Sequence, residues 1–338
     1  MSHSKKVLLS FAVILACLAG ACAWADEREL VVYSARNEHL IKPLFDAYTD
    51  KTGVRIRFIT DKEGPLLERL KAEGESSPAD LLMTVDAGNL WHAAQEGVLR
   101  PVKSEVLEKS VPEAYRDPEG RWFGLSLRAR TIVYNNRRVK PAELSTLEAL
   151  GNPEWKGRLC LRTSKKVYNQ SLVAMLIGLY GEARTEEIVR SWVANLAAEP
   201  FANDDAVLSA VAAGQCDAGI VNTYYYGRMI EKTPDLPLSL FWTDKDSDHG
   251  VHVNISGAGI TRFAPHPEEA LKFVEWLVSP EAQNKFADAN LEYPVNPSVS
   301  PHPDVQAWGS FKADSLPVAK AGEFQERAVK LMDRVGYK

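Results

Sequence analysis

The chain is short of the residues that announce catalysis or nucleic-acid binding. His-Glu-x-x-His, paired Cys-x-x-Cys, G-x-x-x-x-G-K-[ST] and Gly-x-Ser-x-Gly patterns are all missing, so zinc-hydrolase, phosphate-loop and serine-nucleophile chemistry lack their usual carriers. Basic residues do not outnumber acidic ones: 40 Lys and Arg stand against 45 Asp and Glu. A phosphate backbone demands a basic stripe, so this balance argues against nucleic acid as a partner. Cysteines number only four. There is no low-complexity tract and no repeat with a period of 20 to 50 residues. One apolar run stands out, Val7 to Leu18, and it is too short to span a bilayer as a permanent anchor.

That run reads as the core of an export signal. Lys5-Lys6 forms a positive start and Ala23-Trp24-Ala25 a cleavage site before Asp26, giving an expected signal peptide over 1–25 cut after Ala25. A lipoprotein anchor at Cys22 fits less well, since Leu18-Ala19-Gly20-Ala21-Cys22 has one residue too many between Leu and Cys. Cleavage takes Lys5 and Lys6 from the total and moves the formal charge from -5 to -7. Two cysteines remain, Cys160 and Cys216; in an oxidising compartment they can pair or stay free.

At 338 residues the chain is long enough for about two domains. Leu30–Ser34, Val54–Ile59 and Ala79–Met83 read as strands; helices are expected over Glu38–Thr49, from Pro65 to Gly74 and from Ala87 to Glu96. This alternation predicts an α/β fold with a mostly parallel sheet. Leu125–Tyr134 breaks the rhythm as a long extended run that could bridge two lobes. A second series starts at Arg158–Arg162, with helices expected over Asn169–Leu179, Thr185–Leu196 and Asp204–Ala213 before a strand at Ala218–Val221. Further helices are expected over Pro267–Val278, Pro280–Ala289 and Lys320–Val335.

The weak metal and nucleotide patterns have plainer readings. Asp244, Asp246 and Asp248 alternate like an EF-hand start, but position six is His249 and no Glu stands at twelve, so a solvated loop is expected. Gly257-Ala258-Gly259 lacks the third glycine of a dinucleotide fingerprint. His249 and His252 read as structural. No arrangement offers an enzyme mechanism.

Oxygen donors are what the chain does offer. Tyr224, Tyr225 and Tyr226 follow the Ala218–Val221 strand, and Tyr168 follows the Cys160 strand, so both places fall at the carboxyl edge of one expected sheet. Ligands bind at such edges. Tyrosines are also common there as plain packing residues with wet hydroxyls. Arg36, after the first strand, would face the same cleft from the other lobe.

Five stretches, Val32-Tyr33-Ser34-Ala35-Arg36, Thr84–Leu90, Arg128–Asn135, Val167-Tyr168-Asn169-Gln170-Ser171 and above all Asn222-Thr223-Tyr224-Tyr225, make the chain resemble a known family. It is similar to the periplasmic ferric-iron-binding proteins, the transferrin-like solute-binding components of bacterial iron ABC importers, over essentially the whole mature chain. The resemblance implies a two-lobed periplasmic-binding-protein fold, each lobe a mixed, mostly parallel sheet flanked by helices, with the ligand in the cleft. The lobes are expected at 26–126 with 252–302 and at 127–251 with 303–338. It implies Fe(III) bound by Tyr168, Tyr224 and Tyr225, and a periplasmic, monomeric carrier delivering to an inner-membrane ABC permease and its ATPase. Fe(III) is hard enough to deprotonate phenols. Tyr226, Tyr33 and Tyr134 are expected to pack instead.

One departure concerns the amino lobe. Relatives place a His-Tyr pair or a His just after the first strand, where this chain reads Asn37-Glu38-His39. Either Glu38 or His39 supplies a further ligand, or carbonate or another small anion completes the coordination. The anion is the favoured expectation, held by Arg36, Arg130 and the Thr163-Ser164 turn. The alternative role for Arg36 and Arg130 is salt bridging to residues such as Asp86. Two other functions share the fold: binding of an organic solute such as a polyamine or thiamine, and a secreted enzyme.

Overall fold

The computed structural model describes residues 28–243 and 249–338. The expected signal peptide and the Asp244, Asp246 and Asp248 run lie outside the described residues. The first series is β1 (Glu29–Ser34), α1 (Glu38–Thr52), β2 (Arg55–Thr60), α2 (Glu63–Glu73), β3 (Leu81–Val85), α3 (Ala87–Gln95) and a short α4 (Glu105–Ser110). Next comes β4 (Phe123–Asn135), and then β5 (Leu159–Cys160), α5 (Val167–Tyr180), α6 (Glu182–Ala194), α7 (Asp204–Ala212), β6 (Ala218–Asn222), α8 (Thr223–Lys232) and β7 (Leu238–Phe241). The chain continues through β8 (Val253–Ile260), α9 (Pro267–Leu277), α10 (Pro280–Asn290) and β9 (Tyr293–Pro294) to α11 (Pro303–Ala307), α12 (Lys320–Glu323) and α13 (Gln325–Arg334).

The helix ends follow local chemistry. Apolar residues at Leu40, Ile41, Leu44, Phe45 and Tyr48 give α1 its buried face, and Gly53 stops it in the left-handed region at φ 71°. Ser279 caps α10 by accepting from the Ala282 amide, with Pro280 in the first turn. The single tail helix expected over Lys320–Val335 is instead broken at Phe324 into α12 and α13.

β4 organises both lobes. Its first half pairs antiparallel with β8, ending at Ala129 opposite Val253; its second half pairs with β6, beginning at Arg130 opposite Asn222. β2, β1, β3 and β8 therefore form one sheet with the first half of β4, and β6, β5 and β7 another with the second half. The parallel pairings are those of β1 with β2 and β3 and of β5 with β6; β3–β8 and every pairing of β4 are antiparallel. The expected parallel bias thus holds only inside the β-α-β units. Where the chain crosses or returns between lobes, it runs antiparallel.

Each sheet is covered on both faces. Leu30 and Val32 pack with α1, α9 and α10, while Val31 and Tyr33 pack with α2 and α3. In the other lobe Ile132 and Tyr134 face α5, α6 and α13, and Val133 faces α7 and α8. This is the period-two alternation of a strand buried on both sides. Cys160 and Cys216 form a disulfide, with Cα atoms 5.9 Å apart, tying β5 to the turn that leads into β6. Among the described residues no helix is long and apolar enough to cross a membrane.

Candidate metal centre

The three phenols converge on helix starts: Tyr168 opens the helix expected after the Cys160 strand, and Tyr224 and Tyr225 lie in a helix where only a strand end was expected. Tyr168 lies in the first turn of α5; Tyr224 and Tyr225 lie in the first turn of α8. Tyr-Tyr-Tyr-Gly has poor helix propensity, which is why α8 escaped sequence reasoning. Its Gly227 has a packing cause: a Cβ there would meet the Trp308 ring at 2.5 Å. Two helix starts therefore aim their positive ends at the phenols, an arrangement that favours negative charge on oxygen.

The Tyr224 hydroxyl donates to the Tyr168 Oη at 3.3 Å, and the Tyr224 and Tyr225 rings lie 4.5 Å apart. Cations surround them. The Arg128, Arg162 and Lys166 head groups stand 5.0, 5.3 and 4.9 Å from the centre of the Tyr168 ring. Arg228 stands 5.0 and 4.9 Å from the Tyr224 and Tyr225 rings. Burial holds the Tyr168 and Tyr224 phenols above their ordinary pKa; Arg128 opposes the rise at Tyr168, and the neighbouring phenols add to it at Tyr224. The free site is therefore protonated there at neutral pH.

A cavity of about 220 Å3 opens on these phenols. Tyr168, Tyr224, Tyr225, Arg162, Lys166 and Arg228 line it from one lobe; Ala35, Arg36, Asn37, Leu40, Glu63 and Val85 line it from the other, with Asn290 and Glu292. Arg36 reaches the cavity but is already paired. Its two terminal nitrogens donate to Glu292 Oε2 at 3.1 Å each, and Ser126 donates to the same oxygen at 2.5 Å.

Five of the residues expected to hold an anion or metal fall outside the cavity. Arg130 is buried beneath it, donating to Asn169 Oδ1 at 2.7 and 3.1 Å, to Asp204 at 3.2 Å and to Asn222 Oδ1 at 3.3 Å. Asn169 and Asn222 flank the starts of α5 and α8, so Arg130 positions the phenols and is not free for an anion. The Thr163 and Ser164 amides donate to the Phe201 and Lys338 carbonyls, so both amides of that turn are already taken. Glu38 and His39 are exposed on the first turn of α1, where successive side chains fan outward, and neither lines the cavity.

The expected packing roles are visible. Tyr226 meets the Trp308 ring edge-on at 5.8 Å. Tyr33 is buried and donates to Glu73 at 2.9 Å, and Tyr134 belongs to the core. An ion pair on Asp86 exists, but Arg128 makes it, at 3.3 Å, from the half of β4 that pairs with β8 in the same lobe. Ser171, on α5 of the opposite lobe, donates to the other Asp86 oxygen at 2.6 Å.

Sequence reasoning missed Arg162, Lys166, Arg228, Glu63 and Glu292. Arg162 and Lys166 carried a signal, lying within six residues of Tyr168. Arg162 Nε and Nη1 are buried without a hydrogen-bond partner, Asp204 being 3.6 Å away. Arg228 donates to Asn290 at 3.2 Å, and among the described residues no carboxylate pairs with it. Arg162 is buried and Arg228 half-buried, and a guanidinium left open in this way favours an anion.

Residues 43–313 match the family model described as bacterial extracellular solute-binding protein. The chain is 42% identical to iron uptake protein A1 of Synechocystis, over 93% of this chain and 88% of that protein. Its fold superposes on the Trichodesmium IdiA (FutA) protein solved with iron and citrate ligands, with a TM-score of 0.88 and 44% identity over 92% of this chain and all of that one. It also superposes on an open conformation of the ferric iron-binding protein A of Mannheimia haemolytica, with a TM-score of 0.85 and 36% identity over 92% of this chain and 99% of that one.

Proposed function

Because the chain belongs to the bacterial extracellular solute-binding protein family, we propose that it is a periplasmic carrier of Fe(III), exported by a signal peptide cut after Ala25. It captures ferric iron in the cleft and delivers it to an inner-membrane ABC permease driven by its ATPase. The observation that carries this reading is the phenol cluster: Tyr168, Tyr224 and Tyr225 on two helix starts, with Tyr224 and Tyr168 oxygens 3.3 Å apart, in a cavity ringed by cations. Phenolates are hard anionic donors suited to a hard trivalent cation, and softer metals would recruit thiolate or imidazole instead. The iron held by the Trichodesmium protein, and the names iron uptake protein and ferric iron-binding protein of the other two relatives, support the same cargo.

Iron entering here replaces the Tyr224–Tyr168 hydrogen bond and expels the phenolic protons. The positive helix ends and Arg128 stabilise the phenolates that result. A small anion such as carbonate joins the coordination, held by Arg162 and Arg228, whose guanidinium donors are not all taken. The lobes, 26–126 with 252–302 and 127–251 with 303–338, close by bending where β4 changes partners between Ala129 and Arg130. Adding ferric citrate to purified protein is expected to produce a visible phenolate-to-iron charge-transfer band. Protein that stays colourless under saturating ferric citrate overturns the reading.

A further inference from the structure

Three phenols come from one wall of the cleft, and a hard cation gathers more oxygens than three. The opposite wall offers four carboxylates on or near the site, and they differ in how free they are. Asp86 is fully buried with both oxygens taken: one accepts from Ser171 and the Gly88 amide, the other from Asn254 and Arg128. Glu292 is locked in a buried pair with Arg36 that Ser126 reinforces. Glu38 is exposed and outside the cavity. Glu63 remains. It is the first residue of α2, it lines the cavity, and its ion pair is to Lys166 at 3.7 Å, beyond hydrogen-bond length.

We infer that Glu63 is the amino lobe's metal ligand, a reading that rests on the Fe(III) function proposed above. The partner it leaves has somewhere to go. Lys166 Nζ already stands 4.9 Å from the centre of the Tyr168 ring. The ammonium keeps that ring face as a partner when Glu63 turns to the metal. A long, half-exposed ion pair costs little to break; the buried pairs of Asp86 and Glu292 cost far more. Exchange of partners by Glu63 thus converts an inter-lobe contact of the free protein into an inter-lobe bond through the cargo. It makes closure depend on the metal being present.

The test compares wild type with Glu63→Gln, Glu63→Asp and Glu38→Gln by ferric titration against citrate, with the visible band recorded for each. Glu63→Gln is expected to bind iron about 10- to 100-fold more weakly. Its band should move to longer wavelength, since iron that loses an anionic donor is a better acceptor of phenolate charge. Glu63→Asp should lie between, and Glu38→Gln should match wild type. Glu63→Gln with wild-type affinity and band overturns the ligand assignment alone. A weaker affinity with an unmoved band also overturns it, because Glu63 then acts on closure and not on the metal. A wild-type protein with no band overturns the iron reading itself.

Discussion

The two walls of the cleft are built on different principles. On the carboxyl-lobe side, donors are gathered ahead of any ligand: three phenols on two helix starts, Arg130 bracing both from below, and a disulfide tying β5 to the turn before β6. On the amino-lobe side the charged groups are committed to one another, with Arg36 on Glu292 and Asp86 on Arg128. Pre-organised donors avoid the cost of ordering at the moment of binding. The difference teaches that one wall is made to catch and the other to close. On the function proposed above, the metal is held first by a single lobe, and the second lobe then decides how long it stays.

The largest expected effect tests the catching wall. Tyr224→Phe with Tyr225→Phe should abolish the visible band and lower iron affinity by about ten thousandfold, or roughly 5 to 6 kcal/mol. Retained colour would move the site elsewhere. Arg36→Ala tests the closing wall in the opposite sense. Breaking its buried pair should destabilise the fold by about 3 to 5 kcal/mol in denaturant while the iron-bound colour persists. If instead stability holds and iron binding collapses, Arg36 serves the ligand and the contrast between walls is lost. Cys160→Ser with Cys216→Ser should cost about 4 kcal/mol of stability by the chain-entropy account; a loss below 1 kcal/mol would mean that the catching wall is braced without it.

Acid supplies a smaller, graded effect. Because burial raises Tyr168 and Tyr224, the free site holds their protons at neutral pH, and iron must displace them. Lower pH therefore favours the empty site, and affinity should fall about tenfold per pH unit for each proton released. An affinity flat between neutral and mildly acidic pH would contradict phenolate ligation. The smallest effect belongs to Tyr226→Phe. Its ring packs on Trp308, so iron affinity should change by less than about twofold, within the range of ordinary packing substitutions.

The two walls also differ in how legible they were. Strand–helix alternation and the long extended run at Leu125–Tyr134 carried the fold, because periodicity records burial directly. Tyr168, Tyr224 and Tyr225 could be singled out because Val167-Tyr168-Asn169-Gln170-Ser171 and Asn222-Thr223-Tyr224-Tyr225 resemble the ferric-iron-binding family; their place after strands left plain packing open. The α8 helix was not, since its first turn is held by tertiary contacts such as Gly227 against Trp308 that no local propensity encodes. Arg36 and Arg130 look alike in sequence. Only the fold brings Glu292, 256 positions away, onto Arg36, and Asp204 and Asn169 onto Arg130. Glu63 carried no local signal at all, because its relevance lies in facing Lys166 from another lobe.

β4 belongs to both sheets at once, and this bears on how the molecule comes apart. A lobe that melted alone would have to strip half the ladder from a strand whose other half is still hydrogen-bonded, so the two lobes unfold as one cooperative unit. A ligand gripped largely by one lobe then stabilises the whole chain through mass action. The cargo protects residues that it never touches.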